Sequence, residues 1–453
     1  MPRFTSILKT LAVVSLLAVF FWLDVAPSAE ESRPPNVVFL ISDDHGWTDY
    51  GFMGHPVVQT PHLDQLASEG MVWTRGYVPT SLCRPSLATL MTGLYPHQHG
   101  ITSNDPDGPA RDAANRQRMV DVFQQNRPLA GMLAEAKGYF SMQSGKWWEG
   151  QCQCGGFTFC MTHGDVERGG RHGDEGLEIG RKTMQPIYDF LDRAVGEQKP
   201  FFLWYAPFLP HTPHNPPERL LAKYRADDRP EATAKYLAMV EWLDETVGQL
   251  LGALEERALT ENTLVLYVAD NGWVQTEDPT AWYEGRAKMS PYDAGLRSPV
   301  ILKWPGRVQA GRDERTLVST IDFVPTVLAA TGVEAGRELP GMDLRNRARL
   351  AGRKHLFGAL FAHTAVDVEN PEANLKYRWV LREDGWKLIA PYRPNAEVEL
   401  MIRPSDVSWL SLEPELYNVL EDEAERQNLA GEKPDVVESL ERQLDQWWPV
   451  SGS

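Results

Sequence analysis

From Asn36 onward, short apolar runs alternate with longer segments in which apolar residues recur at helical spacing. The run 37–41 is apolar at every position, as expected of a strand that is buried on both faces of a sheet. Similar runs at 201–206, 263–269 and 300–304 predict further buried strands, and 232–259 carries the spacing of a long helix. This alternation is typical of βαβ units, so the sequence predicts an α/β fold with a large, mostly parallel central sheet flanked by helices.

Helix boundary signals place one cysteine at a helix start. Pro85 near the first turn and Gly93 just past the end frame a short helix that begins at Cys83. The free N–H groups of a helix start favour an anionic ligand, although a buried and inert thiol explains an isolated cysteine equally well.

The character of the chain changes after about residue 360. Segment 377–389 predicts a β-hairpin with Asp384 and Gly385 in its turn, and 433–448 predicts a closing amphipathic helix. We therefore expect a catalytic domain over 30–360 and a small C-terminal α+β subdomain over 361–453.

The N-terminal segment predicts export. Arg3 and Lys9 precede an apolar run at 11–23, and small residues follow up to Ala29, which is the order found in a signal peptide. We expect residues 1–29 to be removed and the protein to be periplasmic or secreted, with no stable membrane span. A retained N-terminal anchor is the alternative, because Pro27 makes the cleavage site imperfect.

The charge balance and the cysteine count exclude some classes of binding partner and of fold stabilisation. The formal net charge is −17 and no Lys/Arg-rich run occurs, so we expect no nucleic-acid partner. Four cysteines are too few to hold together 453 residues, and the core must come from apolar burial. In an oxidising compartment, Cys160 is expected to form a disulfide with Cys152 or Cys154.

Polar residues follow four of the predicted strands, where a parallel sheet gathers its ligand-binding groups. These residues are Asp43 and Asp44 after 37–41, Ser144, Gly145 and Lys146 after 139–142, Pro210 and His211 after 201–206, and Asp270 and Asn271 after 263–269. We expect them to converge at one edge of the sheet.

The oxygen-bearing members of that set predict a metal site. Asp43, Asp44, Asp270 and Asn271 offer only hard oxygen ligands, which suit Ca²⁺ or Mg²⁺ better than zinc. A capping role explains a single aspartate, but three carboxylates brought together without a cation repel one another.

The motifs, taken together, resemble the sulfatase family. The resemblance is carried in order by segments 43–46, 60–64, 83–86, 145–147, 210–211 and 270–272, by Lys288 and by 292–297. It implies the alkaline-phosphatase-like fold and one Ca²⁺ bound by Asp43, Asp44, Asp270 and Asn271.

The resemblance also implies the chemistry of sulfate ester hydrolysis. A maturation enzyme is expected to oxidise Cys83 to formylglycine, whose hydrated aldehyde is the nucleophile. Lys146, His211 and Lys288 match the family's catalytic positions, which neutralise charge on the sulfate oxygens and protonate the leaving group. The expected substrate is a sulfated carbohydrate or a small sulfate ester such as an aryl sulfate.

Two positions depart from the family pattern. Leu87 stands where the family carries an arginine that contacts the nucleophile and is read during maturation, and Arg84 is a candidate to replace its charge. Trp148 stands where the family has histidine, and Trp147, Trp148 or Trp282 could stack on a sugar. These departures keep open a non-catalytic protein that binds sulfated glycans. A phosphodiesterase or phosphonate hydrolase of the same superfamily is the other alternative.

Overall fold

The computed structural model describes residues 33–108, 112–165, 167–168, 170–278, 283–392 and 411–451. The expected signal peptide 1–29 and Trp282 lie outside these residues. From Pro34 onward the chain forms one compact unit. Within the described ranges, no helix combines the length and the apolar character needed to cross a bilayer.

Strands and helices alternate along most of the chain. The strands are β1 (Asn36–Ser42), β2 (Met71–Trp73), β3 (Gly76–Tyr77), β4 (Phe140–Gly145), β5 (Phe159–Cys160), β6 (Phe201–Ala206), β7 (Thr263–Ala269), β8 (Val300–Lys303), β9 (Gly311–Asp313), β10 (Val318–Ser319), β11 (His355–Phe361), β12 (Leu375–Arg382), β13 (Trp386–Pro391) and β14 (Glu415–Asn418). The helices are α1 (Pro61–Glu69), α2 (Cys83–Thr92), α3 (Pro96–His99), α4 (Ala113–Gln124), α5 (Leu129–Lys137), α6 (Gln185–Gly196), α7 (Glu218–Tyr224), α8 (Glu231–Glu256), α9 (Asp293–Leu296), α10 (Phe323–Thr331), α11 (Arg347–Leu350) and α12 (Pro434–Trp447).

The main sheet has eight strands in the order β5-β4-β6-β1-β7-β8-β2-β9. The five strands from β5 to β7 run parallel, so their carboxyl ends meet at one edge. Strand β8 pairs antiparallel with both β7 and β2. The predicted mostly parallel α/β sheet is confirmed.

Both faces of the sheet are apolar, because alternate residues of each strand point to opposite sides. Val37, Phe39 and Ile41 of β1 belong to the core cluster on one face. Val38 and Leu40 belong to the cluster on the other face. All seven residues of β1 are buried, which explains why the strand is apolar without alternation.

One strand is longer than its sequence pattern suggested. Strand β4 runs to Gly145, so Ser144 and Gly145 lie within the strand and not after it. Ser144 remains in register because its hydroxyl donates to the Trp204 carbonyl on β6, at 2.8 Å. The polar residues Gln143 and Ser144 lie inside this buried strand, so the end of the apolar run did not mark the end of β4.

A second sheet of order β11-β12-β13-β14 is antiparallel throughout and packs with α12. The predicted hairpin is β12 and β13, and its turn uses Gly385 at φ 95°, a conformation that favours glycine. Strand β11 begins at His355, before the expected boundary at 360. The division into two domains at that residue stays a prediction.

Candidate active site at the carboxyl edge of the sheet

The eight site residues predicted from the sequence lie together, six of them beyond the carboxyl ends of neighbouring strands, Cys83 at the start of α2 and Lys288 in the loop before α9. Asp43 and Asp44 leave β1, which lies between β6 and β7. The backbone N–H of Asp43 donates to the Leu209 carbonyl after β6, at 2.9 Å. The N–H of Asp44 donates to the Asp270 carboxylate after β7, at 3.1 Å. Strand pairing therefore continues into the loops and brings their side chains to one place.

Two buried lysines pair with the aspartates. Lys146 Nζ is 2.6 Å from Asp43 Oδ1 and 3.5 Å from Asp270 Oδ2. Lys288 pairs with Asp44 and places its Nζ 3.1 Å from the Cys83 sulfur. Both lysines are at most 8% exposed, so their charges act in a medium that screens them weakly.

Asn271 contacts both Asp44, a predicted metal ligand, and Cys83. Its amide nitrogen donates to Asp44 Oδ1 at 2.8 Å, and its amide oxygen lies 3.4 Å from the Cys83 sulfur. Cys83 is the first residue of α2, as predicted, and α2 is buried along its whole length. The sulfur is therefore held between Asn271 and Lys288.

Burial sets the protonation of the thiol. Loss of hydration raises the pKa of Cys83 to about 12, although Lys146 and Lys288 act to lower it. A thiol with this pKa is protonated at neutral pH and is a poor nucleophile. Cys83 in its unmodified form is therefore not equipped to attack an ester.

The carboxylates fit a cation. Burial, then the charge of Asp270, raises the pKa of Asp43 well above its usual value. Burial acts in the same direction on Asp44, but Lys288 and His211 beside it give a lowered pKa. Oδ2 of each of Asp43, Asp44 and Asp270 is buried and has no hydrogen-bond partner among the described residues. Two of these oxygens have only ion-pair contacts, with Lys146 and His211. Buried carboxylate oxygens that lack a hydrogen-bond donor are the ligands that a hard divalent cation prefers.

His211 faces the same cluster. Its Nδ1 lies 2.6 Å from the Thr212 carbonyl, which can only accept, so Nδ1 carries a proton. Nε2 then points at Asp44 Oδ2 from 3.3 Å. Ligand atoms of Asp43, Asp44, Cys83 and His211 lie within 4.8 Å of one another. The lone pair of His211 Nε2 and the Asp44 carboxylate repel each other at this distance unless a proton or a cation lies between them.

Arg84 does not replace the arginine that Leu87 lacks. Its guanidinium makes two hydrogen bonds to the carboxylate of Glu149, at 2.8 and 2.5 Å, and is fully buried. Leu87 is 4% exposed and belongs to the apolar core. The hypothesis that Arg84 supplies charge to the Cys83 site is therefore wrong, because Glu149 holds that guanidinium.

Several residues that support the site were not found from the sequence. Arg181 donates to the carbonyls of Phe208 and His211 and so fixes the loop that carries His211. Lys387 pairs with Asp293 at 2.8 Å and with Glu425 at 2.9 Å. Arg181, Lys387 and Glu425 lie outside the motifs of the sequence, and Lys387 is far along the chain from Asp293.

The remaining candidates take structural places. Cys152 and Cys160 form the disulfide, and Cys154 is a free, partly buried thiol. His163 contacts Asp174 at 3.3 Å and Glu175 at 3.0 Å. Trp147 packs in the apolar core and its indole is 3% exposed, so it offers no free face to a sugar.

Family models match most of the chain. A model of the sulfatase family matches residues 35–333, and a model described as N-sulphoglucosamine sulphohydrolase, C-terminal, matches residues 280–448. The chain is 30% identical over 356 residues to N-acetylgalactosamine-6-sulfatase of Canis lupus familiaris, covering 70% of this chain and 66% of that protein. It is 26% identical over 476 residues to human arylsulfatase A, covering 93% and 89% of the two chains.

Solved structures agree with the fold. The crystal structure of Ps i-CgsB in complex with k-i-k-neocarrahexaose matches with a TM-score of 0.69 and 21% identity, over 92% of this chain and 93% of that chain. A phosphonate monoester hydrolase of Agrobacterium radiobacter matches with a TM-score of 0.63 and 18% identity, over 91% and 95%. The fold is thus common to enzymes with different names, and the reaction must be argued from the site.

Proposed function

The chain belongs to the sulfatase family, and on this premise we propose that it is a sulfuric ester hydrolase acting on a sulfated carbohydrate or aryl sulfate. The observation that carries the proposal is the position of Cys83. It begins α2, contacts Lys288 and Asn271, and lies within 4.8 Å of carboxylate oxygens of Asp43 and Asp44. Sulfatases of N-acetylgalactosamine and arylsulfatase A are among its relatives, which supports this class of substrate.

Asp43, Asp44, Asp270 and Asn271 are the residues that would hold Ca²⁺. Three buried carboxylate oxygens that lack a hydrogen-bond partner among the described residues support this assignment, and all four side chains offer hard oxygen ligands. A bound Ca²⁺ supplies a fixed positive charge for the oxygens of a sulfate group.

Cys83 is the residue that we propose to be matured, and a maturation enzyme is then a required partner. Formylglycine formed from it supplies the oxygen nucleophile that a protonated thiol lacks. Cys83 is the first residue of α2, so the positive end of the helix dipole lies at this position, which suits an anionic ester.

The remaining residues neutralise charge and move a proton. Lys146 and Lys288 are placed to bind oxygens of a sulfate group, because their ammonium groups flank Asp43 and Cys83. His211 has Nδ1 committed to the Thr212 carbonyl, so Nε2, which carries the lone pair, is the atom that can take up a proton and pass it on to the leaving oxygen. Phe208 stacks on this ring at 4.2 Å and fixes its orientation.

The experiment is sulfate release from an aryl sulfate and from sulfated saccharides. The chain is produced with a maturation enzyme, and Cys83→Ala is the matched control. We expect sulfate release that requires Cys83. Equal release by Cys83→Ala would overturn the proposal, and so would faster cleavage of a phosphonate ester by the same preparation.

A specific observation favours a second function, that of a non-catalytic protein binding sulfated glycans. Leu87 is buried in the core and carries no charge, and the guanidinium of Arg84 is paired with Glu149, so neither side chain supplies an available positive charge at the nucleophile position. If Cys83 stays a thiol in the native host while sulfated glycan still binds, this second function is the correct one.

We also propose that the protein is exported to the periplasm or the exterior. The proposal rests on the N-terminal pattern of Arg3, Lys9 and the apolar run 11–23. The disulfide between Cys152 and Cys160 supports an oxidising compartment. We expect Edman sequencing to show that the mature protein begins near Glu30. An intact N-terminus on protein in the membrane fraction would contradict this proposal.

A further inference from the structure

We propose that Tyr236 on α8 is a positioning residue for the Ca²⁺ site, and that its hydroxyl group raises the affinity of the site for the ion. Tyr236 does not itself supply a ligand. It acts through residues 43–46, called here the β1 loop, which carry Asp43 and Asp44. The proposal rests on the proposed function, because it takes these two aspartates to be metal ligands.

The backbone of the β1 loop is held at four successive N–H groups. The first three donate to the loops that follow β6 and β7. These bonds join Asp43 to the Leu209 carbonyl, Asp44 to the Asp270 carboxylate and His45 to the Asn271 carbonyl, at 2.9, 3.1 and 3.2 Å. The fourth N–H, that of Gly46, donates to the Tyr236 hydroxyl at 3.0 Å, so a side chain from a helix completes the row.

A second hydrogen bond orients the Tyr236 hydroxyl. The hydroxyl donates its proton to Asp49 Oδ2 at 2.8 Å, which leaves a lone pair for the Gly46 N–H. The backbone N–H of Asp49 donates in turn to the Gly46 carbonyl at 3.0 Å. Tyr236 is buried, so these bonds form in a medium where hydrogen bonds are stronger than in water.

The conformation of the β1 loop explains why such support matters. Asp44 has φ 60°, in the left-handed region that a residue with a Cβ atom rarely occupies. The carboxylates of Asp43, Asp44 and Asp270 also repel one another when no cation is bound. Both effects favour a rearranged loop in the metal-free protein, and the anchored N–H groups oppose that rearrangement. Each anchor therefore reduces the cost of ordering the ligands when Ca²⁺ binds.

Tyr236 also contacts the second segment that carries proposed ligands. Its ring stacks on Trp273 with centroids 6.5 Å apart, and Trp273 follows Asn271 by two residues. The two segments approach closely at Gly46, where a Cβ atom would lie only 2.7 Å from the Trp273 carbonyl oxygen. Tyr236 thus lies against both the β1 loop and the loop after β7.

The experiment compares the Ca²⁺ dissociation constants of the full-length protein and of Tyr236→Phe, by isothermal titration with calcium chloride after a chelator has removed bound metal. Tyr236→Phe keeps the ring and its stacking on Trp273 and removes only the hydroxyl. We expect Ca²⁺ to bind about tenfold more weakly, as is typical when a residue that supports metal ligands is lost. Circular dichroism and thermal unfolding check that the variant is folded.

Tyr139→Phe is the matched control. The hydroxyl of Tyr139 is also buried against the backbone of this strand, because it donates to the Pro35 carbonyl at 2.6 Å. Pro35 precedes β1, at the end opposite to Asp43. We expect wild-type Ca²⁺ affinity in Tyr139→Phe. An unchanged dissociation constant in Tyr236→Phe, or an equal loss in Tyr139→Phe, overturns the inference.

A pair of variants at Asp49 tests the orientation of the hydroxyl. Asp49→Asn and Asp49→Ala remove the same charge, but asparagine keeps a side-chain oxygen that can accept from Tyr236. We expect Asp49→Asn to bind Ca²⁺ more tightly than Asp49→Ala. Equal affinities in these two variants would contradict the role given to the hydroxyl.

Sulfate release separates this inference from the proposed function. Matured enzyme that binds Ca²⁺ and hydrolyses an aryl sulfate, while Tyr236→Phe binds Ca²⁺ equally well, retains the function and overturns the role of Tyr236. Ca²⁺ binding that depends on Tyr236 without any sulfate release retains that role and contradicts the proposed hydrolysis. A wild-type protein that binds no Ca²⁺ overturns both the metal site and the inference.

Discussion

Leu87 decides how closely the site can follow the family pattern at the level of single residues. Its side chain lies in the apolar core with Leu90 and Met91, on a helix that is buried from end to end. Cys83, one turn earlier on α2, belongs to the same cluster, and its sulfur contacts Lys288 and Asn271. Leu87 therefore contributes apolar packing and no charge on this side of α2. The loss of arginine here is part of how α2 packs.

We predict that Leu87→Arg lowers the free energy of unfolding by about 3–5 kcal/mol, because it buries an uncompensated charge. Leu87→Met is the matched control and should cost less than about 1.5 kcal/mol. Urea unfolding and the mass of the Cys83 peptide are measured on the same sample. A stable Leu87→Arg protein with increased conversion of Cys83 would show instead that the arginine reaches the site.

Lys146→Ala is predicted to weaken the binding of inorganic sulfate about ten- to a hundredfold, because a charge-assisted contact contributes about 1.5–3 kcal/mol. Isothermal titration with sulfate measures this. Lys354→Ala is the control, since that lysine is 62% exposed and pairs with Glu383 at the surface. Unchanged affinity in Lys146→Ala would mean that the sulfate pocket lies elsewhere.

At the scale of elements, the two sheets are joined through a buried ion cluster. Lys387 on β13 reaches Asp293 at the start of α9 and Glu425 beyond β14. The backbone N–H of Asp293 also donates to Glu425, at 2.6 Å. The same loop holds Lys288, because the N–H of Met289 donates to the Ser81 carbonyl just before α2. The C-terminal sheet thus supports the segment that carries a proposed catalytic lysine.

Lys387→Met is predicted to destabilise the fold by about 3–5 kcal/mol near pH 8, since two buried carboxylates lose their cation. The pKa of Glu425 is already raised to about 7, by burial first. A carboxyl whose folded pKa is raised favours folding when protonated, so the loss should shrink as the pH falls from 8 to 5. Unfolding curves at both pH values, with Lys354→Met as control, test this. A loss of equal size at both pH values would indicate a packing effect.

The carboxyl edge of the sheet was predictable from the sequence because apolar runs mark parallel strands and parallel strands end together. Asp43, Asp270 and His211 were found in this way. Helix boundary signals marked Cys83, but its role required the resemblance to a family, and so did the choice of Lys288. The antiparallel pairing of β8 could not be predicted, since an apolar run carries no direction. The pairing of Arg84 with Glu149 could not be predicted either, because the two residues are 65 positions apart in the sequence.

At the scale of the whole molecule, a protein of formal net charge −17 concentrates both signs of charge at one edge of its sheet. The aspartates lie outside the apolar clusters of the core, while the lysines approach from β4 and from the loop before α9. A cation at this edge offsets the repulsion between the carboxylates. Because the aspartates lie outside the core, removal of the cation should disturb the site more than the fold.

We predict one Ca²⁺ per chain, lost in Asp43→Ala and in Asp270→Ala with the secondary structure retained. Elemental analysis and circular dichroism measure the two quantities. Asp189→Ala, a change at an exposed position of α6, should keep the metal. Stoichiometric zinc without calcium would contradict the assignment.

The most direct test of the proposed function is the mass of the Cys83 peptide, read from the same preparation whose sulfate release is measured. We predict that the protein from its native host carries the mass loss of a thiol converted to an aldehyde, and that activity rises in proportion to the converted fraction. An unconverted thiol in a preparation with full sulfatase activity, or complete conversion with no hydrolysis of any sulfate ester, would contradict the account.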